Sequence, residues 1–363
     1  MRIAALVYLA PRKLGSLEQW VLAFLEECAR RGHSVHLFWL RPLHPEVERR
    51  LGELGVPWTE LRELEHAPLR WARRLRRDFD LIYMNLVVPR SRAATAAYLA
   101  WPLPVLLFDG ISGPVPGRSR GPWLGPLLDP LVARRMTALA GCSAYVARRN
   151  ERRFGRPPGS CEVIYNGIDT GRFVPPSSPR PGPPVLAAVA RLIPEKGLDV
   201  LIRACARIQD LPWRLQIAGS GTEEARLRGM VAAEGLAERV EFLGLRDDVE
   251  AILRGAEVNV HPCLWEEAFG LTIAEAMAAG CATVASRTGG IPEIIRHEQE
   301  GLLVTPGDAE ELAAALRRLL GDPGLRRRLA EAGRRQAVER FDLVPAVVKQ
   351  VDWIERWGPA GGG

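Results

Sequence analysis

The chain contains 363 residues, of which 47% are hydrophobic and 25% are charged, and its formal net charge is +6. This composition is typical of a globular protein and excludes a disordered or fibrous one. No run approaches the ~18 apolar residues of a membrane-spanning helix, and the apolar run at the N-terminus is too short for a signal peptide. None of the six cysteines forms a C-x-x-C pair, so we expect buried thiols rather than a metal centre or a disulfide framework.

The charge is distributed unevenly along the chain. Residues 1–173 hold 26 Lys and Arg against 16 Asp and Glu, a net charge of +10, whereas residues 174–363 hold 23 against 27, a net charge of −4. This asymmetry predicts an acidic partner for the first half only. Lysine is rare, because all but three of the basic residues are arginine; the three are Lys13, Lys196 and Lys349.

The first half alternates apolar runs with helical patterns. A continuous apolar run at residues 3–9 predicts a strand that is covered on both faces. Residues 17–31 follow with their apolar side chains on one helical face, and Gly32 ends that helix. Further strands are predicted at residues 35–40, 81–86, 105–108 and 162–165.

A proline-rich stretch, residues 174–184, interrupts this pattern and is predicted to be an interdomain linker. The alternation of strand and helix resumes after it. Strands are predicted at residues 185–190, 214–218, 240–243, 258–261, 282–286 and 302–304, and helices at 198–208, 222–234, 272–279 and from 309 onward.

The alternation predicts an α/β protein with two Rossmann-like domains, each a doubly wound parallel sheet with helices on both faces. The expected domains are 1–173 and 185–342, joined by the linker and followed by a terminal helix at 343–363. Ligands of such sheets bind at the carboxyl ends of strands, so we expect a site in a central cleft that the two domains face.

The segment WEEAFGLTIAEAMAAG, residues 265–280, places two carboxylates around a helix start. The backbone amides of Gly270, Leu271 and Thr272 are expected to be free donors at the helix N-terminus, which suits a phosphate. Glu275, one turn into the helix, is positioned to bind ribose hydroxyls, and Glu267 to bind sugar hydroxyls. Two acidic residues near a helix start are also favoured by the helix dipole alone.

Two further segments place cations and glycines at strand ends. ARLIPEKG, residues 190–197, carries Arg191 and Lys196 on a loop, where two positive charges would stabilise a departing diphosphate without a metal. IAGSG, residues 217–221, offers Gly219 and Gly221 for a tight turn before a helix. Each cation, taken alone, is equally consistent with a solvated surface residue.

Together these segments resemble retaining glycosyltransferase family 4. The shared features are R-x4-K-G, G-S-G, E-A-F-G-x4-E-A-M-A-x-G and the GGIPE of residues 289–293, in that order, with NGID at residues 166–169 upstream. The resemblance implies a GT-B fold in which the first domain lies on the acceptor side, the second binds the nucleotide-sugar, and the terminal helix returns to the first domain. It also implies transfer of a sugar from a nucleotide-diphosphate-sugar to an acceptor hydroxyl with retention of configuration.

The resemblance also assigns the site residues. Arg191 and Lys196 would bind the diphosphate of the donor, Glu275 its ribose and Glu267 the transferred sugar. No cofactor or metal is implied, and no D-x-D pair is found where a metal would be expected. No carboxylate base is implied either, because the leaving phosphate takes the acceptor's proton. The donor-binding residues are Gly15, Ser16, Gly219, Gly221, Phe269, Gly270, Leu271, Thr272 and Glu275.

The first half departs from the family pattern. Its first loop reads Gly15-Ser16-Leu17-Glu18 where the family commonly has G-G-x-E. Asn85 and Asp109 stand near positions where the family often has histidines at strand ends. Asp109 is therefore assigned to the catalytic group, as a base or a ligand of a sugar hydroxyl, or else it marks a weakened site.

Arginine clusters suggest where the acceptor comes from. LRWARRLRRD, residues 69–78, and ARRNERRFGR, residues 147–156, mix arginines with Trp71 and Phe154. Such stretches can rest on an anionic membrane or bind nucleic acid, and no nucleic-acid motif accompanies them. We therefore expect a cytoplasmic enzyme that docks on the inner face of a membrane and uses a glycan or lipid-linked acceptor. A solvated helix face explains the same charges.

Three other functions stay open. A nucleotide-sugar epimerase and a phosphorylase share the fold. The R-x4-K-G segment and the Glu267–Glu275 pair disfavour an epimerase, because they resemble the transferase family. A phosphorylase needs a lysine for pyridoxal phosphate, and the chain has only three lysines. A catalytically weakened partner subunit is suggested by Ser16 and Asp109.

Overall fold

The computed structural model describes residues 1–9, 14–89, 91–112, 132–178 and 182–358. The chain divides into two compact units. The first comprises residues 1–167 together with the C-terminal segment that begins at Leu343, and the second comprises Ile168–Asp342. Each unit has its own parallel sheet and its own buried core.

The described part of the first unit holds a seven-stranded, all-parallel sheet in the order β3-β2-β1-β4-β5-β6-β7. In the register of its central strands, Ile3 lies opposite both Val35 and Leu81. The strands are β1 Arg2–Val7, β2 Ser34–Trp39, β3 Trp58–Glu60, β4 Leu81–Asn85, β5 Val105–Asp109, β6 Ala138–Gly141 and β7 Cys161–Val163.

Helices cover this sheet. The buried core between the helices and the sheet includes Leu6, Ile82 and Leu107. The described helices of the N-terminal part are α1 Ser16–Arg30, α2 Pro45–Glu53, α3 Arg62–His66, α4 Pro68–Asp78, α5 Arg92–Leu99 and α6 Ala144–Phe154.

The second unit contains a six-stranded parallel sheet in the order β10-β9-β8-β11-β12-β13. Its strands are β8 Val185–Val189, β9 Arg214–Ala218, β10 Val240–Gly244, β11 Val258–His261, β12 Ala282–Ser286 and β13 Leu302–Val304. Its helices are α7 Leu198–Ala206, α8 Glu224–Ala233, α9 Val249–Arg254, α10 Leu271–Ala278, α11 Ile291–Ile294, α12 Ala309–Gly321 and α13 Pro323–Arg340.

The two doubly wound parallel sheets confirm the predicted fold class. Every strand predicted from an apolar run is present, with ends that shift by up to two residues. Two strands were not predicted, β3 and β6, of three and four residues.

The terminal helix α14, Leu343–Glu355, packs against α1 of the first unit. Arg31 fixes it there by ion pairs to Asp352 at 2.6 Å and to Glu355 at 2.7 Å. Inside the unit, the Gln350 side-chain amide donates to the Tyr83 hydroxyl.

The units divide at residues that differ from the predicted boundaries. Residues 168–178, predicted as the end of the first domain and the start of the linker, belong to the second unit. Two contacts hold them there: Arg172 forms an ion pair with Glu250 at 2.7 Å, and Arg254 donates a hydrogen bond to the Val174 carbonyl at 3.3 Å. Residues 179–181 of the predicted linker and 359–363 of the predicted terminal segment lie outside the described residues.

The strand order reverses beside β1 in one sheet and beside β8 in the other, and parallel α/β sheets bind ligands at the strand ends next to such a reversal. All six cysteines are buried and unpaired, as predicted. In the part of the chain that the structure describes, no helix has the length and apolar character needed to cross a bilayer.

Candidate active site

The switch point of the second sheet lies between β8 and β11. Arg191 and Lys196 lie on the loop that follows β8, and Glu267 lies on the loop that follows β11. The two loops touch, because the Leu264 amide donates to the Glu195 carbonyl at 2.8 Å. Lys196 and Glu267 are 71 residues apart in sequence. The fold places both of them at the edge where such sheets bind ligands.

A buried ion pair joins these loops. The Lys196 Nζ lies 2.5 Å from the Glu267 Oε2, and the two side chains are 12% and 10% exposed. The Lys196 ammonium also lies 5.8 Å from the centre of the Trp265 ring. Arg191 is exposed on the same loop, and no hydrogen bond of its side chain is found within the described residues. Lys196 is therefore preorganised by the protein, whereas Arg191 faces solvent.

Electrostatics keep Glu267 ionised. Burial by itself raises the pKa of this carboxyl, but the His261 ring and the charge of Lys196 outweigh burial and hold the pKa well below its usual range. The His261 Nε2 lies 3.4 Å from the Glu267 Oε2. A carboxylate fixed in its charged form can accept hydrogen bonds from sugar hydroxyls but is a poor proton acceptor.

Two neighbours of Glu267 were missed by the sequence analysis. His261 is the last residue of β11, and its Nδ1 lies 3.3 Å from the Thr272 hydroxyl. The Cys263 thiol lies 3.6 Å from the Glu267 Oε2, and burial raises the pKa of this thiol to about 12. A polar residue at the end of a strand beside the switch point was the available signal for His261; Cys263 carries no signal in the sequence.

The N-terminus of α10 has the donors that the sequence predicted. Gly270, with φ of 104°, precedes the helix, and its carbonyl accepts from the amides of Ile273 and Ala274. Within the described residues, the amides of Gly270, Leu271 and Thr272 have no backbone acceptor. Glu275 lies in the same helix and is buried.

The G-S-G turn serves loop packing. A Cβ on Gly219 would lie 1.9 Å from the Ala190 carbonyl oxygen, and a Cβ on Gly221 would lie 2.2 Å from that of Leu192. Both glycines therefore let the turn lie directly on the loop that carries Arg191, which fixes that loop. A direct contact of this turn with a donor stays a prediction.

The Phe269 side chain differs from its predicted role. It is buried and packs edge-on against Phe341, with ring centres 5.3 Å apart. It anchors the loop before α10 in the core.

In the first unit, Gly15 precedes α1, and its amide donates to the Glu18 carboxylate at 2.9 Å. The Gly15 amide thus has an acceptor within its own helix start, and the assignment of Gly15 to the donor stays a prediction. Ser16 is the first residue of α1 and is buried. Asn85 ends β4 and is buried too.

Asp109, at the end of β5, is committed to a buried ion pair. Its Oδ2 lies 3.0 Å from the Arg149 guanidinium, and its Oδ1 accepts from the Ile111 amide at 3.0 Å. Arg149 also donates to the Ile111 carbonyl at 2.9 Å. These contacts hold the residues that follow β5, and the assignment of Asp109 as a base or a sugar ligand stays a prediction.

Comparison with known proteins agrees with these features. Residues 158–336 match the family model described as "Glycosyl transferases group 1", and residues 17–172 match "Glycosyltransferase Family 4". The chain is 30% identical to the MMP alpha-(1->4)-mannosyltransferase of Mycolicibacterium hassiacum over an alignment 406 positions long, which covers 98% of each protein. It is 35% identical over 216 residues to the glycogen synthase of Mycobacterium tuberculosis, covering 58% of this chain and 52% of that protein.

Among solved structures, Alr3699/HepE of Anabaena in complex with UDP superposes with a TM-score of 0.81 at 22% identity, over 98% of this chain and 100% of the other. A glycosyltransferase of Rickettsia africae gives a TM-score of 0.82 at 17% identity, over 98% of both chains. These likenesses show a common fold of two Rossmann-like domains.

Proposed function

The chain belongs to glycosyltransferase family 4, the group 1 glycosyl transferases with a GT-B fold, and from this membership we propose that it transfers a sugar from a nucleotide-diphosphate-sugar to an acceptor hydroxyl with retention of configuration. The observation that carries the proposal is the buried Lys196–Glu267 pair at the switch point of the second sheet.

In this proposal the second unit holds the donor. Lys196 and Arg191 neutralise the charge that develops on the diphosphate as the glycosidic bond breaks, which a preorganised cation does at little reorganisation cost. The amides at the start of α10 bind a phosphate oxygen, and Glu275 in that helix binds the ribose. UDP in the Anabaena structure supports a nucleotide as the ligand.

Glu267 has two roles in the proposed mechanism. Its carboxylate orients Lys196, since the two atoms lie 2.5 Å apart, and it accepts hydrogen bonds from the sugar that is transferred. The acceptor attacks the face that the diphosphate leaves, and the departing phosphate oxygen takes the acceptor's proton. The Asp109–Arg149 pair agrees with this scheme, because a mechanism without a carboxylate base does not require Asp109 to be available.

A panel of uridine, guanosine and adenosine diphosphate sugars tests the proposal. We expect one base to raise the thermal unfolding midpoint of the full-length protein, and the matching sugar to be slowly hydrolysed when no acceptor is present. The released sugar should keep the anomeric configuration of the donor, as read by NMR early in the reaction. Inversion, or stabilisation by no nucleotide, would contradict the proposal.

The same assay examines the metal requirement. We propose that two cations replace a metal, so hydrolysis should persist in excess chelator. Full loss of turnover with chelator, restored by Mg²⁺ or Mn²⁺, would reject this part.

For the acceptor, we propose a glycan or lipid-linked molecule at an anionic cytoplasmic membrane surface. Helix α4 supports this with an exposed row of cations, Arg70, Arg73 and Arg76, for which no ion-pair partner is found in the described parts of the chain. The apolar side chains between them differ from the predicted membrane contact: Trp71 is buried in the core, and so is Phe154 of the other cluster. Docking through α4 would therefore be electrostatic.

The second arginine cluster contributes less than the sequence suggested. Arg149 pairs with Asp109, and Arg156 donates to the Ala133 carbonyl at 2.7 Å. The cations of α4 are thus the better candidates for binding a surface.

We expect the protein to sediment with anionic vesicles at low salt and to be released at high salt, where the Debye length falls to about 3 Å at 1 M. Replacing Arg70, Arg73 and Arg76 by glutamine should weaken binding roughly a hundredfold, at about 1 kcal/mol for each charge. The control replaces Arg214, Arg327 and Arg335, exposed arginines of the second unit, and should bind like the wild type. An equal loss of vesicle binding in the α4 variant and the control, or equal binding of the wild type to neutral and anionic vesicles, would contradict docking through α4 and leave its arginines as a solvated surface.

A further inference from the structure

We propose that His261, Cys263 and Glu267 form a binding site for a soft divalent cation of the Zn²⁺ type, and that the bound ion draws Glu267 away from Lys196. One consequence, inhibition of sugar transfer, rests on the proposed function; the binding of the ion does not. The three side chains are all buried and each offers one ligand atom, and these atoms lie within 4.8 Å of one another.

The separations suit a tetrahedral ion. Bonds of about 2.0–2.3 Å to nitrogen, oxygen and sulfur at tetrahedral angles place ligand atoms roughly 3.3–3.8 Å apart. The Glu267 Oε2 lies 3.4 Å from the His261 Nε2 and 3.6 Å from the Cys263 Sγ. Two of the three separations therefore match without movement of the backbone.

His261 is oriented as a metal ligand is. Its ring is 5% exposed, and within the described residues its Nε2 makes no aligned hydrogen bond, although it points toward Glu267. Its other nitrogen, Nδ1, lies 3.3 Å from the Thr272 hydroxyl. A hydroxyl can accept as well as donate, so it can take the Nδ1 proton and leave the Nε2 lone pair for an ion.

The donor set selects the ion. Thiolate and imidazole favour Zn²⁺ and related transition metals, whereas Mg²⁺ requires an octahedron of oxygens. Binding needs no redox partner: the Cys263 S–H bond breaks, a metal–sulfur bond forms, and the proton passes to solvent.

Lys196 makes the site a switch. Its ammonium now lies 2.5 Å from the Glu267 Oε2, and a divalent ion bonded to that oxygen would repel it. The lysine has a flexible four-carbon side chain that can swing away. The ion and the Lys196–Glu267 pair are therefore mutually exclusive, so an ion would remove the cation that the proposed mechanism uses.

Cobalt titration of the reduced, full-length protein tests the binding without any donor or acceptor. We expect the charge-transfer band of a Co²⁺–thiolate bond, with the visible bands of a tetrahedral site, and we expect Zn²⁺ to abolish them by displacement. Cys263→Ser should lose the charge-transfer band and weaken binding at least about tenfold. The matched control is Cys281→Ser, a buried thiol of the same unit that also donates to two carbonyls; it should keep the band.

Thermal unfolding of both variants verifies that they are folded, and Cys263→Ala provides a second removal of the thiol. No band in the wild type, or a band that persists in Cys263→Ser and Cys263→Ala, would overturn the site. In the activity assay, Zn²⁺ should inhibit donor hydrolysis by the wild type, with recovery on chelation, and should spare Cys263→Ser. A normal cobalt band in a protein that hydrolyses no donor would refute the proposed function and leave the site standing, whereas full activity with zinc bound would refute only the inhibition.

Discussion

Replacing Lys196 by alanine, or Glu267 by glutamine, is expected to lower turnover by at least about a hundredfold, the usual cost of removing a preorganised electrostatic group from a transition state. Lys196 supplies the charge that meets the departing diphosphate, and Glu267 holds it at 2.5 Å. Initial rates of donor hydrolysis and of transfer measure the effect. The matched control is Glu266→Gln, an exposed glutamate on the same loop, which should keep near-normal turnover.

The two substitutions should differ in their effect on stability. Lys196 and Glu267 lie on loops but form a buried pair, so their replacement is expected to affect folding. Lys196→Ala leaves a buried carboxylate without its cation, which costs about 3–5 kcal/mol. Glu267→Gln leaves the lysine unpaired instead, and its flexible four-carbon side chain can turn toward solvent at a lower cost. The double variant should therefore be more stable than Lys196→Ala alone, as judged by denaturant unfolding. Near-normal turnover in either single variant, measured on folded protein, would rule out the proposed role of that residue.

Gly289→Ala is expected to lower turnover by displacing the backbone of Glu267. Gly289 has φ of +57°, and a Cβ there would lie 2.1 Å from the carbonyl oxygen and 2.6 Å from the amide nitrogen of Glu267. Neither backbone atom can yield without moving the loop, which the Gly290 amide holds by a 2.8 Å hydrogen bond to the same carbonyl. Because a displacement of about 1 Å can cost about a hundredfold in rate, we expect a loss of that order.

Gly235→Ala is the control, because Gly235 has φ of +69° and nothing within 4 Å of the added Cβ. The Gly235→Ala variant carries only the backbone strain of a left-handed residue, about 1–2 kcal/mol, with no steric clash, and should keep its turnover. Gly289→Ala should be destabilised by roughly 1–3 kcal/mol more than the control, the range of an overpacked site. Equal unfolding midpoints and equal rates in the two variants would show that Gly289 does not position Glu267.

The sequence by itself determined the fold class and the strand-end positions of the second unit. Fully buried parallel strands such as β13 are continuous apolar runs, so their number and spacing can be read directly, and the helices between them impose the parallel order. Arg191, Lys196 and Glu267 lie on loops that follow strands of the second sheet, which is why their place at the ligand-binding edge was predictable.

Only the tertiary structure decided which side chains meet. The partner of Asp109 is Arg149, 40 residues away, and the partner of Lys196 is Glu267, 71 residues away. Neither pairing follows from spacing along the chain, because loops of irregular length bring the partners together. The same holds for Trp71, which looked like part of a basic surface but lies in the core. Hydrophobic periodicity is a local property that a single segment expresses, whereas a contact between loops depends on the packing of every element that carries them.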